Sequence, residues 1–418
     1  MTLNRRVLLS RAGLLAGAGA AAVTGGGVLA ACGTEQRPPP PATVPFRGPH
    51  QAGIDTPTQD RLAFAAFDLV PGTTRTDLVA LLQTWTAAAE AMSRGLPVPG
   101  RSDDQDSPPA DTGEAMDLEP GNLTVTVGFG PGLFDTRFGL APRRPAAFAP
   151  LPSLPADALE PARSGGDLGI QACSQDPQVA FHVVRNLARL GRGTVVTRWT
   201  QLGFGRTAST STAQVTARNL MGFKDGTRNL KVEDAAAMNR SVWVDPADVP
   251  GAAGWMAGGS YLVTRRIRMI LETWDRDPLF DQENVFGRSK AEGAPLSGGT
   301  EFTPPDFTET MAGGVPAIPM DAHVRLAAPE NNGGAALLRR GYNYTDGVDP
   351  ATGMLDAGLF FIAYMRSPEQ FVRIQTALGS RDALNEYIRH TTSALFACPP
   401  GLAEGDPADY WGRRLLEG

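Results

Sequence analysis

The chain has 418 residues, of which 42% are hydrophobic and 20% charged, enough apolar material for a sizeable core and for two domains rather than one. This excludes disorder as the general state, and the net charge of −6 excludes a generic nucleic-acid binder, which needs a basic surface. Three cysteines, Cys32, Cys173 and Cys398, make no disulfide framework, and four histidines leave little for a multi-histidine metal centre. A metal handled by this chain would therefore arrive inside a cofactor.

The chain opens on Arg5-Arg6 and Arg11, followed by an uncharged Ala/Gly/Leu/Val run to Ala31. This is the n-region and h-region of an export signal, and the paired arginines resemble a twin-arginine (Tat) leader over residues 1–31, an address to the periplasm or the exterior. Leu29-Ala30-Ala31-Cys32-Gly33 resembles a lipobox, in which Cys32 would carry a lipid and tether the protein to a membrane. The same residues also read as a plain small-residue cleavage site, and both readings stand. Residues 32–58, with Pro38 to Pro41, Pro45 and Pro49, read as a proline-rich tether.

Hydrophobic periodicity then predicts a strand over Leu62 to Val70 and a helix over Thr76 to Met92, with Leu78, Leu81, Leu82 and Trp85 on one face. Asp103 to Glu119 is polar and acidic and reads as an exposed insertion. Strands at Leu123 to Val127 and Leu168 to Ala172, a helix at Pro177 to Leu190 and a strand at Thr194 to Leu202 complete β-α-β-β-α-β, the ferredoxin-like order. Residues 59–220 make this first domain. The second, 221–418, repeats the scheme less cleanly. A half-buried strand is predicted over Ser260 to Trp274 and a short helix near Leu279 to Phe286. Strands follow at His323 to Ala327, Leu337 to Tyr344 and Gly358 to Met365, with a helix from Pro368 to Leu378. The predicted fold class is α+β, with two tandem ferredoxin-like domains built on antiparallel sheets.

Three segments concentrate reactive side chains: Gly222-Phe-Lys-Asp225-Gly226-Thr227-Arg228-Asn229, Asp321-Ala-His323-Val-Arg-Leu326 and Leu338-Arg339-Arg340-Gly-Tyr342-Asn-Tyr344. Taken singly, Asp-Gly is an ordinary turn, a strand-start histidine an ordinary hydrogen-bonder and paired arginines an ordinary solvated face. Together, and in order with His50-Gln-Ala-Gly-Ile54, Gly259-Ser-Tyr-Leu-Val263, Phe286-Gly-Arg288 and Gly293-Ala-Pro-Leu296, they are strongly similar to the dye-decolourising peroxidase (DyP) family. The resemblance is to its Tat-exported deferrochelatase/peroxidase branch, covers roughly residues 50–400, and rests most on Gly222-Phe-Lys-Asp225-Gly226, the family's Gly-x-x-Asp-Gly hallmark.

The resemblance implies one haem b per chain, held between sheet and helices of the C-terminal half, with His323 as the proximal ligand of the iron. A carboxylate on the other ring nitrogen makes an imidazole a stronger donor, and Glu386 is the candidate for that place. Asp225 is expected to carry a proton between the peroxide oxygens. Arg339 is expected to stabilise the charge that develops there, with Arg340 facing the other way because adjacent strand residues alternate. Gly226, Thr227 and Arg228 match the family's haem-contacting turn, and Ala328, Pro329 and Glu330 occupy its other contact position.

The implied activity is an exported peroxidase that uses hydrogen peroxide to oxidise dyes, phenols or other small reductants. An acidic optimum goes with a carboxylate proton carrier. A second activity, release of iron from haem with the porphyrin left whole, would make haem a substrate and iron-transport proteins the partners. Association with a second copy of the chain is left open. His182 reads as structural, His390 as a surface residue, and His50 carries no evident chemistry. Trp274, Trp411, Tyr342 and Tyr344 read as packing residues that could also relay electrons.

Overall fold

The computed structural model describes residues 43–418; the predicted leader, Cys32 and the first part of the predicted tether lie outside the described residues. Arg61–Leu69 (β1) is apolar on both faces and accordingly lies inside the sheet, antiparallel to two neighbours. Arg75–Ser93 (α1) starts at a capping box between Thr74 and Asp77 and buries Leu78, Leu82, Trp85 and Ala89. Thr124–Phe129 (β2), Leu168–Ser174 (β3), Pro177–Leu190 (α2) and Val195–Arg206 (β4) follow. Asp176 caps α2 with Pro177 in its first turn, and α2 buries Val179, Val183 and Leu187.

After a short helix, Ala235–Ser241 (α3), the second half runs Ser260–Met269 (β5), Leu271–Trp274 (α4), Leu279–Phe286 (α5), His323–Ala327 (α6), Leu338–Arg339 (β6) and Tyr342–Val348 (β7). It continues with Leu355–Met365 (β8), Pro368–Arg381 (α7) and Ile388–Cys398 (β9), and the chain closes on Arg413–Leu416 (α8).

The first half has the strand order β2-β3-β1-β4 and the second β9-β5-β8, with β6 and β7 both on the far edge of β8, which is the same ferredoxin-like order twice. The two sheets do not stand apart. β4 pairs with β7 and β2 with β9, so eight strands close on themselves into a barrel. The β2–β9 seam has a single residue pair, Phe129 with Ala397. The buried Gln51 amide fills what is missing: its Nε2 donates to the carbonyls of Val127 and Pro399, and its Oε1 accepts from the Val127 amide. Residues 46–54, read from sequence as tether, are thus packed on the body, with Phe46 and Ile54 in the core.

Alternation along β1 separates two cores. Leu62, Phe64 and Ala66 face the barrel interior with Trp199, Tyr342, Tyr364, Phe396, Cys173 and Cys398. Ala63, Ala65 and Phe67 face α1 and α2. Both of these cysteines are free and buried.

Three local expectations change. His323 to Ala327 is a helix, not a strand. Five residues are too few for periodicity to decide, and the Arg325 guanidinium holds the turn by donating to the carbonyls of Ile318 and Pro319. The segment Ser260 to Trp274 is a strand only to Met269, and it is buried on both faces. Arg265 is paired with Asp157, and Arg266 reaches Asp346 and Asp356 at 2.9 and 2.7 Å while lying 4.2 Å above the Tyr344 ring. Leu337 to Tyr344 is two strands, broken at Arg340-Gly341.

Candidate active site

On the outer face of the second half, α6 and α7 stand over β5 and β8 and leave a cavity of about 240 Å³ that opens to solvent. Its walls are largely apolar: Ile267 and Met269 of β5, Leu359 and Phe361 of β8, Phe286 of α5, Val324 and Ala327 of α6, and Ile374 of α7. Among the described residues no group of three or more His, Cys, Asp and Glu side chains could hold a metal ion.

The first turn of α6 places His323 in the cavity wall. Its Nδ1 is 2.6 Å from Oδ2 of Asp382, so the carboxylate fixes the ring and leaves Nε2 without a hydrogen-bond partner among the described residues. Burial disfavours the charged imidazole, but the Asp382 carboxylate outweighs it and holds His323 above its ordinary pKa. Asp382 is therefore the partner, and Glu386 is not. Asp382 follows α7, is 4% exposed, and uses its other oxygen to accept from the Leu384 amide, capping the turn Ala383–Glu386. Glu386, at the far end of that turn, points to solvent. The sequence signal for Asp382 was its capping position ahead of a short helical turn.

Asp225 and Arg339 line the same cavity, and Arg339 Nη1 donates to Asp225 Oδ1 at 2.7 Å. Arg340 turns the other way into the protein, where it is fully buried and donates to the carbonyl of Thr56 and to Gln59 Oε1. Gly226 has φ +82°, and a Cβ there would lie 2.9 Å from the Ala208 Cα, so the turn behind Asp225 admits only glycine.

Four cationic side chains, Lys224, Arg228, Arg288 and Arg339, also line the cavity. Thr227 donates to Glu301, which also pairs with Lys224. Arg228 grips Glu330 at 2.5 and 3.2 Å, tying the Asp225 loop to the turn after α6, and the ion pair holds the Glu330 carboxyl below its ordinary pKa. Ala328 and Pro329 line the cavity beside them.

The sequence reading gave Arg288 no role. It is 7% exposed, bonded to the carbonyls of Gly293 and Glu301, and has Nη2 without a hydrogen-bond partner among the described residues. His390 is not on the surface. It sits on β9 in the cavity wall, 4% exposed, with Nε2 against the Gln375 amide. Cys173, Cys398, Tyr342 and Tyr344 do not line the cavity, and His182 is buried on α2, 2.9 Å from Asp111.

Comparison with known proteins shows the family. The family model described as "Dyp-type peroxidase, N-terminal" matches residues 51–205, and "Dyp-type peroxidase, C-terminal" matches residues 216–403. The chain belongs to the Dyp-type peroxidase family. It is 39% identical to a dye-decolorizing peroxidase of Thermobifida fusca, over 98% of this chain and 97% of that one. It is 38% identical to a deferrochelatase of Yersinia pseudotuberculosis, over 89% of this chain and 85% of that one. The crystal structure of a DyP-type peroxidase from Streptomyces coelicolor superposes with a TM-score of 0.82 at 43% identity, covering 91% of this chain and 98% of that one. As a Dyp-type peroxidase the protein is an enzyme, and haem is its cofactor.

Proposed function

We propose that the cavity holds one haem b per chain, whose iron His323 Nε2 would ligate, and that the protein is an exported peroxidase oxidising dyes, phenols or similar small reductants. The observation that carries this reading is the meeting, in one cavity, of a carboxylate-held imidazole with a free nitrogen and a bonded Asp225–Arg339 pair. The residues present suit a porphyrin: largely apolar walls, the imidazole of His323 with Nε2 available, and Lys224, Arg228 and Arg288 in the lining to meet carboxylates. Nη2 of Arg288, with no partner among the described residues, is one such donor.

When bound, haem supplies an iron that peroxide oxidises and that the reductant restores one electron at a time. The chain does the rest. Asp225 accepts the proton of one peroxide oxygen and delivers it to the other, and the guanidinium of Arg339 stabilises the negative charge that develops between the two events. Asp382 keeps His323 in one tautomer and orientation and strengthens its donation. The apolar walls exclude water from these exchanges.

The deciding experiment is an absorption spectrum of the haem-supplemented protein before and after hydrogen peroxide. A Soret band that shifts with peroxide and returns with a dye is expected; absence of any Soret band overturns the reading. A rate optimum above neutrality would count against Asp225 as proton carrier.

The likeness to a deferrochelatase supports a second reading, haem as substrate with its iron released and the porphyrin left intact. Iron-free porphyrin without dye turnover would select it. For location, the Arg5-Arg6 leader supports Tat export to the periplasm or beyond, and Cys32 is the point at which a lipid would anchor the chain. Mass spectrometry of the mature N-terminus separates lipidation from simple cleavage.

A further inference from the structure

We infer that Asn229 is the positioning residue of Arg339, standing in for a strand that the sheet lacks. The inference rests on the reading of Arg339 given above and concerns what aims its guanidinium at Asp225.

Arg339 belongs to a strand of two residues at the end of the sheet order, paired on one side only, with β8. Successive strand residues send their amide and carbonyl to opposite neighbours. The Arg340 amide donates to Ile362 of β8 at 2.8 Å, so the polar groups of Arg339 face away from β8. On that side β4 has ended at Arg206, and only the Thr207 amide continues its line, onto the carbonyl of Gly341.

The Asn229 side chain fills the next position. Its Oδ1 accepts from the Arg339 amide at 2.8 Å, and its Nδ2 donates to the Arg339 carbonyl at 2.9 Å and to the Ser209 carbonyl at 3.0 Å. A primary amide presents one acceptor and two donors, and all three bonds are made by a side chain that is 6% exposed. The first two copy the two-bond exchange between facing residues of an antiparallel ladder.

Asn229 lies four residues after Asp225, and its own amide closes the turn by donating to Gly226 at 2.9 Å. One loop therefore grips Arg339 at both ends, its backbone through Asn229 and its guanidinium through Asp225. The separation of guanidinium and carboxylate is set within a five-residue loop rather than across the barrel, which suits a pair that must share a small reactant.

The test compares wild type, Asn229→Ala and Asn229→Asp, with Asn343→Ala as control. Asn343 is a buried amide at the β4–β7 junction, bonded to Gly205 and away from the cavity wall. Asn229→Asp keeps size and acceptor but cannot donate to the two carbonyls.

Three readouts are expected to move in Asn229→Ala and not in the control, and the last two of them also in Asn229→Asp. Hydrogen exchange of the Arg339 amide in the haem-free protein should accelerate by about tenfold or more in Asn229→Ala, where its acceptor is gone. Fluoride affinity of the ferric haem protein, which reports a guanidinium donor near the iron, should fall. The rate with peroxide should drop about tenfold to a hundredfold while reactivity with the reductant holds. Unchanged amide exchange and fluoride affinity in Asn229→Ala would overturn the inference, as would equal losses in Asn343→Ala. Wild-type protein that binds haem but ignores peroxide would instead sink the peroxidase reading, while the amide exchange would still decide the role of Asn229.

Discussion

The two halves of the molecule share one strand order and part company on their outer faces. In the first, β1 offers Ala63 and Ala65 to two helices of 19 and 14 residues, and the small side chains let Leu78, Leu82, Trp85, Val183 and Leu187 pack down onto the sheet. In the second, the same position on β5 carries Arg265, Ile267 and Met269; the 14-residue α7 matches α2, but in place of the other long helix the chain runs through α4, α5 and the five-residue α6. A cover built in short pieces cannot seal the sheet, and the gap is the site. The fold supplies a frame twice; the chemistry comes from interrupting one of its two coverings.

The comparison breaks most severely at His323. We expect His323→Ala to lose haem, and Asp382→Asn to weaken haem binding by about ten- to a hundredfold. Glu386→Gln should bind as wild type, and transfer of haem to a strong acceptor protein measures all three. On the other side of the site, Asp225→Asn and Arg339→Leu should retain haem but slow the reaction with peroxide by roughly 10²–10⁴-fold in stopped-flow traces. Undiminished rates in both would move the proton transfer elsewhere.

Packing should show the contrast directly. In the haem-free protein Leu82→Ala, under α1, should cost about 2–5 kcal/mol in urea unfolding, whereas Leu359→Ala, against a cavity already present, should cost less than about 1 kcal/mol. Similar losses would mean that the second half is sealed as tightly as the first.

The smallest effect concerns His390. Burial, then the charges of Arg265 and His323, push its pKa down to about 3 from an ordinary 6.5. Between those values the unfolded chain binds a proton that the folded one refuses, so stability falls as pH drops through that window, by up to about 1.4 kcal/mol per pH unit from this group. His390→Gln should flatten the slope between pH 6 and 4, and an unaltered slope would place the acid sensitivity in other groups.

Much of this was legible in the residues. The amphipathic helices and alternating strands of the first half announced themselves because each obeys one period and carries its own cap, as Thr74 and Asp176 show. Asp225, Arg339 and His323 were legible through family motifs, and strand alternation separated Arg339 from Arg340. What escaped depends on partners distant in the chain. The predicted half-buried strand over Ser260 to Trp274 is buried on both faces because Asp157, Asp346 and Asp356 come round to meet Arg265 and Arg266. The choice between Asp382 and Glu386 turns on which end of one helical turn faces inward. Asn229 lay inside a recognised motif, yet its task is defined by a strand that is not there, and no local pattern records a missing neighbour.

The amide of Gln51 has a consequence for the order of events in folding. It bridges Val127 to Pro399, which lies 348 residues beyond Gln51 itself, and the neighbouring backbone pairs Gly48 with Leu402. The first described residues of the chain thus lock onto residues close to its end, so the barrel cannot close while the C-terminal strand is still in the ribosome. Closure of so long a loop is entropically expensive and belongs to a late, slow phase. Until it occurs, β2 and β9 are open edges, the state in which this protein is most exposed to aggregation.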